Sequence, residues 1–297
     1  MSSTRTPQVA LITGCSSGIG EAAAIRLHET GALVYATARR IDTLVGLEAR
    51  GIRTLSLDVT DEASMAAAVA AVEEQHGSID ILVNNAGYGL YGPVEQVSLE
   101  DVRRQFETNV FGLSRLIQLV LPGMRRAGGG RILNVSSMGG RTTLPGGAFY
   151  HASKYAVEAL SDLLRIEVAP FGIDVVLIEP GPVKTPWNET ALSSVPTAAV
   201  APNGTNGAAV GTPTDDPYAG YKAAVATGFA KANSGSLARF GSTADDIAKV
   251  ITRAATIRRP RTRYLINAIA KSSVALRRLL PDRAYDFALR QQYGLSR

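Results

Sequence analysis

Residues 8–20 read QVALITGCSSGIG, and this stretch decides the fold. The apolar run from Gln8 to Ile12 is followed by a glycine-rich turn and then by the helical pattern of residues 21–27. A strand, a glycine-rich turn and a helix in this order direct backbone N–H groups and a helix N-terminus toward a phosphate group. The stretch therefore predicts a dinucleotide-binding unit. The alternative is an ordinary glycine-rich loop, because the spacing is not the plain dinucleotide fingerprint and the P-loop lysine is absent.

The same alternation continues along the chain. Strand-like apolar runs alternate with helical patterns six times up to residue 178, and residues 263–266 are the candidate for a seventh strand. Such alternation predicts an α/β fold, a doubly wound parallel (Rossmann) sheet, forming one domain over residues 1–297 with a short helical C-terminal extension. Ligands bind such sheets at the carboxyl ends of the strands, so the candidate functional residues are sought there.

The composition limits the function classes. Of 297 residues, 45% are hydrophobic and 19% are charged, which predicts a globular chain with a full core. The single cysteine, Cys15, excludes an intramolecular disulfide and is consistent with a reducing compartment. The three histidines lack metal-ligand spacing, and no signal peptide or long apolar run is visible. We therefore expect a cytoplasmic protein without a metal site.

The net charge of +5 is concentrated at the C-terminus, where 11 basic and 2 acidic residues follow from Ile251 onward. The acidic balance of the remainder gives no reason to expect a nucleic-acid partner. Residues 268–297 predict a basic helical extension. Such a helix can lie on an anionic membrane surface, but we favour the alternative that it packs on the body or on a neighbouring subunit with its arginines in solvent.

The end of the second strand pattern, residues 33–38, bears on the choice of cofactor. A carboxylate there accepts from the ribose 2′-hydroxyl of NAD, whereas an arginine suits the 2′-phosphate of NADP. This sequence has Ala38 where the acid would lie, followed by Arg39. The pattern favours NADP over NAD, with Ser17 as a second phosphate contact; the alternative is a solvated strand end.

Polar residues also follow the third and fourth strand patterns. Asp58 suits either the adenine amino group or the N-cap of the helix that begins near Asp61, and the sequence does not decide between them. Small residues in 84–87, NNAG, leave room for a ribose. Asn109 lies within the helical pattern of residues 99–126 among apolar neighbours, so it is either buried with partners or functional.

Tyr150 and Lys154 lie four positions apart at the start of a helical pattern and therefore share one helix face. A fixed ammonium group favours the phenolate and moves the tyrosine pKa toward a useful range for proton exchange. Ser137, at the end of the fifth strand pattern, could hold a substrate oxygen beside the phenol. The alternative for the Tyr/Lys pair is a solvated helix face. His151, between them, is expected to pack rather than to react.

Together these motifs resemble the short-chain dehydrogenase/reductase family over roughly residues 7–187. The motifs that carry the resemblance are Thr13-Gly14-x-x-x-Gly18-x-Gly20, Asn84-Asn85-Ala86-Gly87, Asn109, Ser137, Tyr150-x-x-x-Lys154 and Pro180-Gly181-x-x-x-Thr185. Residues 11–20 and 34–39 are similar to the NADP-using 17β-hydroxysteroid and retinol dehydrogenase branch. The Tyr/Lys spacing is that of the ketone reductases and argues against the enoyl-reducing relatives.

The resemblance implies hydride transfer between a nicotinamide and a substrate carbon, with four catalytic residues. Tyr150 would exchange the proton, Ser137 would hold the oxygen, Lys154 would bind the nicotinamide ribose and lower the tyrosine pKa, and Asn109 would support a proton-relaying water. Thr185 would hold the carboxamide. The full cofactor-binding set that it implies is Gly14, Ser16, Ser17, Gly18, Ile19, Gly20, Arg39, Asp58, Val59, Asn85, Ala86, Gly87, Tyr150, Lys154, Pro180, Gly181, Val183 and Thr185.

Substrate selection is assigned to mostly apolar residues, which favour a lipophilic ketone or alcohol. They are Met138, Leu144, Phe149 and Trp187 beside Ser137 and Tyr150, with Tyr218 and Tyr221 as further candidates. Residues 188–240 are expected to form a substrate loop or lid. The alternatives to an oxidoreductase are an idle cofactor-binding sensor or scaffold, which would usually lack the Tyr/Lys pair, and a sugar-nucleotide epimerase, which would need a larger C-terminal domain. The family also implies a homo-dimer or homo-tetramer.

Overall fold

A computed structural model of the chain describes residues 7–185, 216–234 and 241–295. In these residues a seven-stranded, entirely parallel sheet has the strand order β3-β2-β1-β4-β5-β6-β9. Its strands are β1 (Val9–Ile12), β2 (Leu33–Ala38), β3 (Arg53–Ser56), β4 (Ile81–Asn84), β5 (Gly130–Val135), β6 (Ile173–Pro180) and β9 (Arg263–Ile266). The order reverses direction between β1 and β4, which places a crevice at the carboxyl edge beside β1. The doubly wound fold predicted from the sequence, including its seventh strand, is confirmed.

Helices cover both faces of this sheet. They are α1 (Gly18–Glu29), α2 (Val45–Glu48), α3 (Glu62–His76), α4 (Leu99–Phe106), α5 (Leu113–Ala127), α6 (Ala148–Val168), α7 (Ala219–Ser234), α8 (Ala244–Thr256), α9 (Ala268–Leu279) and α10 (Asp282–Tyr293). Side chains that alternate along β1 enter two separate cores: Ala10 and Ile12 pack with α1 and α8, whereas Val9 and Leu11 pack with α3, α5 and α6. Burial on both faces explains why the strands read as continuous apolar runs.

A second, two-stranded sheet joins β7 (Val183–Lys184) to β8 (Ser242–Thr243). Directly after β8, Thr243 and Asp246 form a capping box at the start of α8. The short pairing could not be predicted from a two-residue pattern. It holds the segment that leads to Thr185 against the body of the protein.

The helical pattern of residues 99–126 is not one regular helix. A π-helical segment, Glu107–Gly112, lies between α4 and α5 and contains Asn109. Gly112 is required where this segment meets the chain that follows β3, because an added Cβ would overlap the carbonyl oxygen of Val59. The irregularity therefore comes from a close backbone approach, which periodicity does not reveal.

The C-terminal helices pack on the body, as the favoured alternative predicted. Ala270 and Val274 of α9 are buried against Met138, and Tyr285 of α10 is buried as well. Leu279 and Phe287 stay exposed. No helix among the described residues is long and apolar enough to cross a membrane.

Candidate active site

A single cleft of about 870 Å³ runs along the carboxyl edge of the sheet, across the ends of β1, β2, β4, β5 and β6. This lies within the usual volume range of ligand sites. The structure brings the following sequence-predicted residues into its lining: Gly14, Ser16, Ser17, Gly18, Ile19, Arg39, Asp58, Val59, Asn85, Ala86, Gly87, Ser137, Met138, Leu144, Tyr150, Lys154, Pro180, Gly181, Val183 and Thr185.

The first glycine turn is fastened to the end of β4. The hydroxyl of Thr13 accepts from the backbone N–H groups of Asn85 and Ala86, each at 3.0 Å, and the Asn85 amide donates to the carbonyl of Thr13 at 2.9 Å. Gly14 has a φ of +71°, and an added Cβ would lie 2.9 Å from the Cα of Ala86. The turn thus needs glycine for both its backbone conformation and its packing.

Gly20 does not line the cleft, although it was predicted to bind the cofactor. An added Cβ at this position would overlap the carbonyl oxygen of Gly14 and the amide of Asn85. Gly20 therefore packs against the glycine turn on the side away from the cleft. Only a glycine at this position lets α1 approach the turn so closely. This is the close helix–strand packing expected of the last glycine in such a motif.

Arg39 and Asp58 lie at the ends of the neighbouring strands. Arg39 is exposed and lines the cleft, as do Ser16 and Ser17 of the glycine turn. Asp58 accepts from the backbone N–H and the hydroxyl of Thr60, at 2.9 and 2.8 Å, while Asp61 caps α3 by accepting from Ala63 and Ser64. The N-cap interpretation of Asp58 is therefore wrong, and its place in the cleft keeps the adenine interpretation open.

Ser137, Tyr150 and Lys154 meet beyond the end of β5. Tyr150 is buried and hydrogen-bonded to the hydroxyl of Ser137, which also accepts from the Gly139 N–H at 3.0 Å. The Lys154 ammonium nitrogen donates to the carbonyl of Val135 at 2.9 Å and lies 6.0 Å from the centroid of the Tyr150 ring. The Lys154 ammonium group is thus held near the Tyr150 ring, and the Tyr150 hydroxyl is hydrogen-bonded to the Ser137 hydroxyl in the cleft.

The charge states differ from the expectation. Burial raises the pKa of Tyr150 to about 12, and the Ser137 hydrogen bond offsets this only in part. The sequence had predicted a pKa lowered by Lys154, but desolvation of the phenol dominates in the protein. Burial also lowers the pKa of Lys154 to about 8, although the charge of Glu158 opposes it. Tyr150 is therefore neutral and Lys154 is mostly charged near neutral pH.

Asn109 lies beneath the cleft rather than in its lining. Its amide oxygen accepts from the Tyr88 N–H at 3.1 Å, and its amide nitrogen donates to the Tyr88 carbonyl at 2.9 Å and to the Ser153 hydroxyl at 3.1 Å. An added Cβ at Gly87 would lie 3.0 Å from the Asn109 oxygen and 3.7 Å from the Lys154 nitrogen. Asn109 therefore joins the segment after β4 to α6 by hydrogen bonds. Its side chain positions these two elements and does not line the cleft.

His151 organises the loop between Ser137 and α6. Its Nδ1 lies 2.9 Å from the Gly139 carbonyl, and its Nε2 accepts from the Leu144 N–H at 3.0 Å. These partners require a neutral ring with the proton on Nδ1, and burial lowers its pKa accordingly. This agrees with the expectation that His151 packs rather than reacts.

The predicted substrate residues are only partly brought together. Met138 and Leu144 line the cleft, whereas Phe149, Tyr218 and Tyr221 do not. The Tyr221 hydroxyl instead accepts from the Gly146 N–H at 2.5 Å, and the Tyr218 hydroxyl donates to Glu95 at 2.6 Å. Both tyrosines therefore anchor the segment that carries α7. Trp187, and most of the loop predicted over residues 188–240, lie outside the described residues.

Three aromatic residues of the lining, Tyr91, Phe229 and Tyr293, form what we call the aromatic wall. The sequence placed Phe229 on a helical segment that should cover the pocket, but it did not assign Tyr91 or Tyr293 to the site. Tyr91 follows β4, Phe229 lies on α7, and Tyr293 is the last residue of α10. No local motif marks any of them, because they meet only through the tertiary fold.

Comparison with known proteins supports these observations. A protein-family model described as short chain dehydrogenase matches residues 8–195. A 3-ketodihydrosphingosine reductase of Bacteroides thetaiotaomicron is 43% identical over 183 residues, which are 62% of this chain and 66% of that protein. The 17-beta-hydroxysteroid dehydrogenase type 1 of Homo sapiens is 42% identical over 198 residues, which are 63% of this chain and 60% of the human protein.

Similarity of structure covers nearly the whole chain. The crystal structure of a short-chain dehydrogenase from Streptomyces avermitilis matches with a TM-score of 0.74 at 30% identity, and covers 99% of this chain and 97% of that one. The two relatives above are matched over about two thirds of their length or less. The family match ends before α7 and α10, so it includes Tyr91 but not Phe229 or Tyr293.

Proposed function

The chain belongs to the short-chain dehydrogenase family of oxidoreductases, and we propose that it is an NADP(H)-dependent enzyme that interconverts a lipophilic ketone or aldehyde and its alcohol. The observation that carries this proposal is the hydrogen-bonded pair of Tyr150 and Ser137 in the cleft, with the Lys154 ammonium group fixed below it. A neutral phenol beside a second hydroxyl can hold a carbonyl oxygen and protonate it.

The glycine turn fits a nicotinamide dinucleotide. Gly14 and Gly18 adopt positive φ values of +71° and +65°, which bring the backbone to the cleft surface without side chains. The side chain of Ser17 does not cap α1, so the first N–H groups of this helix are available to a pyrophosphate. Residues of this turn would hold the pyrophosphate, and Gly87 leaves space above Lys154 for a ribose.

The bound cofactor would supply the hydride, and the residues of the chain would do the rest. Ser137 donates a hydrogen bond to the carbonyl oxygen and so stabilises the negative charge that develops there. Tyr150 transfers its phenolic proton to that oxygen in reduction and receives it in oxidation. Lys154 stabilises the phenolate that reduction leaves behind. The raised pKa of Tyr150 keeps the proton donor loaded at neutral pH, which suits reduction.

Arg39 supports the choice of NADP. Arg39 is exposed and lines the cleft, as does the exposed Ser17, and Ala38 offers no carboxylate to repel a phosphate. An arginine recognises a phosphate through paired, charge-assisted hydrogen bonds. A ribose 2′-phosphate bound at this end of the cleft would thus find a cation and a hydroxyl.

We further propose a homo-dimer or homo-tetramer as the working assembly. Helix α6 exposes Leu163 and Ile166 at 63% and 71% of their surface, more apolar area than a solvated helix face needs. The same helix carries Tyr150 and Lys154 on its opposite, buried side. A single-chain mass in sedimentation equilibrium would contradict an assembly.

The test is the substitution Tyr150→Phe, which removes only the exchangeable proton. NADPH oxidation with a lipophilic ketone, followed at the nicotinamide absorbance, should fall by about 10²- to 10⁴-fold. NADPH affinity, measured by fluorescence titration, should stay close to that of the unmodified protein. The matched control is Tyr155→Phe, one turn further on the same helix and 39% exposed, which should keep full activity.

Two outcomes would argue against the proposal. Normal turnover in Tyr150→Phe would remove the tyrosine from the mechanism. An unmodified protein that binds NADPH but turns over no ketone, aldehyde or alcohol in a broad panel would favour the sensor or scaffold alternative.

A further inference from the structure

The last helix of the protein is fastened directly to the active-site loop. The buried hydroxyl of Tyr285, on α10, lies 2.5 Å from the Thr142 hydroxyl and donates to the Thr143 carbonyl at 2.9 Å. Thr142 and Thr143 belong to the loop between Ser137 and α6. The Arg277 guanidinium covers the other side of the Tyr285 ring, 5.1 Å from its centroid. The position of α10 is thus set by the loop that carries the catalytic serine.

Two turns beyond this anchor, Tyr293 enters the lining of the cleft. Its ring lies on Gly228 of α7, where an added Cβ would overlap the ring edge. Helix α7 is itself held at the loop, because Tyr221 bonds Gly146 and the Val225 side chain packs on the same glycine. Helices α7 and α10 are therefore both fixed to the loop between Ser137 and α6, and this fixes the positions of their aromatic residues.

The aromatic wall continues to the catalytic tyrosine. The Tyr91 ring lies 5.8 Å from the Tyr150 ring and 4.6 Å from the Phe229 ring, which meets it edge-on at 88°. Gly147 allows this approach, since an added Cβ would lie 2.8 Å from the Tyr91 ring. The Tyr91 and Phe229 rings thus continue from the ring of the reacting tyrosine, and Tyr293 lines the same cleft against Gly228, the neighbour of Phe229.

This surface carries no formal charge. Burial raises the pKa of Tyr91 well above its ordinary value and that of Tyr293 to about 12, so both phenols are neutral at physiological pH. The aliphatic neighbours in the lining are Met138, Leu144 and Pro145. An ionised substrate would lose hydration here without gaining a partner of opposite charge from the aromatic wall.

We propose that Tyr91, Phe229 and Tyr293 form a substrate subsite that binds a flat, ring-bearing lipophilic ketone and directs its carbonyl toward Tyr150 and Ser137. The proposal rests on the proposed function and adds the shape of the substrate. Rigid aromatic faces and edges pack best on another flat ring, in offset or edge-to-face geometry. A flexible chain would gain less from them, because it loses rotational freedom on binding. Tyr293 is then the specificity-determining residue that the C-terminal helices supply.

The experiment compares two ketones of equal carbon number, 2-tetralone with fused rings and 2-decanone with a flexible chain. The substitution Tyr293→Leu keeps an apolar side chain but removes the ring. It should lower kcat/KM for 2-tetralone by about 3- to 10-fold, the size expected for aromatic pairing, and change that for 2-decanone by less than about twofold. Tyr293→Phe should retain the preference. Gly228→Ala, which displaces the Tyr293 ring, should act like Tyr293→Leu.

The matched control is Phe287→Leu, an exposed aromatic residue on the same helix, which should change neither ketone. Equal losses for both ketones in Tyr293→Leu, or no loss, would overturn the subsite. Failure of the proposed function has a different signature, namely no turnover of either ketone by the unmodified protein. In that case calorimetric binding of 2-tetralone to the unmodified protein and to Tyr293→Leu decides the subsite, because unchanged affinity would overturn it.

Discussion

The two ends of the cleft are built in opposite ways. The cofactor side, formed by the glycine turn of residues 13–20 and by residues 84–87, is made mainly of backbone and small residues that lie within short motifs. The aromatic wall is made of large side chains from three segments, each more than 60 residues from the next. One end is therefore specified locally and the other by the tertiary fold.

This difference predicts different responses to substitution. On the cofactor side, backbone atoms of neighbouring segments pack directly against one another. An added methyl group has no space there, so it would displace the backbone and strain the sheet. The aromatic wall contacts its neighbours through side chains that can be shortened at a smaller cost. We expect substitutions on the cofactor side to affect folding and every substrate, and those in the wall to affect substrate choice.

The largest effect is expected from Gly20→Ala. Its Cβ would overlap the carbonyl oxygen of Gly14 and the amide of Asn85, so α1 must move away from the turn. Overpacking of this kind costs about 1–3 kcal/mol or more, which lowers the melting temperature by several degrees. NADPH affinity should fall with it, because the displaced turn no longer presents its N–H groups. Thermal unfolding with and without NADPH measures both effects.

The control is Gly46→Ala in α2, where an added Cβ meets nothing within 4 Å. Alanine favours a helix, so this variant should be as stable as the unmodified protein or slightly more so. If Gly20→Ala behaved like Gly46→Ala, the cofactor side would not be the rigid region that the comparison requires.

The same contrast explains what could be predicted from the sequence. The fold class and the cleft lining at the strand ends followed from periodicity and short motifs, since β-α alternation and glycine spacing are local. Asp58 shows the limit of that reasoning, because the sequence left it between the adenine amino group and the N-cap of α3, and only the structure assigns the cap to Asp61. The roles of Asn109 and Gly20 could not be predicted because both depend on close tertiary approaches.

The aromatic wall lay beyond the sequence for a related reason. Phe149 was predicted to contact substrate because it adjoins Tyr150 in the chain, but neighbours on a helix point 100° apart, and it does not line the cleft. Tyr293 lines the cleft although it follows Tyr150 by more than a hundred residues. Proximity in sequence was therefore a poor guide to the substrate residues, because side chains from distant helices form this part of the site.

The next largest effect is expected from Arg39→Ala, which tests the cofactor side without disturbing its backbone. Loss of charge-assisted hydrogen bonds to a 2′-phosphate, worth about 1.5–3 kcal/mol, should raise the KM for NADPH by about 10- to 100-fold. The KM for NADH should change little, because NADH has no such phosphate. Steady-state kinetics with both cofactors give the comparison.

Arg40→Ala is the control, since Arg40 is equally exposed but does not line the cleft. It should leave both constants unchanged. An equal rise for NADPH and NADH in Arg39→Ala would show that Arg39 holds the turn in place rather than a phosphate.

A charge cluster forms around two buried carboxylates, those of Glu158 and Glu179, beside the helix that carries the catalytic residues. Glu158 lies one turn after Lys154 on α6, and its carboxylate accepts from the Arg263 guanidinium at 3.0 Å. Arg263 also contacts Glu179, at 3.0 Å, and Asp162, at 2.6 Å. Burial and the charge of Glu179 raise the pKa of Glu158 to about 7, so its carboxylate is charged above that pH.

The smallest effect is expected from Glu158→Gln and is a shift of a pH profile. Burial lowers the pKa of Lys154 to about 8, so the cation that stabilises the Tyr150 phenolate is lost as pH rises through 8, and kcat/KM for ketone reduction should fall there. The negative charge of Glu158 raises the pKa of Lys154. Removing that charge should move the falling limb to lower pH, with only a modest loss at pH 7.

Glu167→Gln, an exposed carboxylate on the same helix, is the control and should leave the limb in place. A purely structural role for Glu158 would instead lower kcat/KM at all pH values without moving the limb. In that case the charge cluster would stabilise the fold and would not affect the pKa of Lys154. A shift of the limb would show that side chains of α6 and β9 set the pH range in which Tyr150 transfers its proton. Such control comes from a charge cluster, and it therefore differs both from the local motif of the cofactor side and from the packing of distant side chains in the aromatic wall.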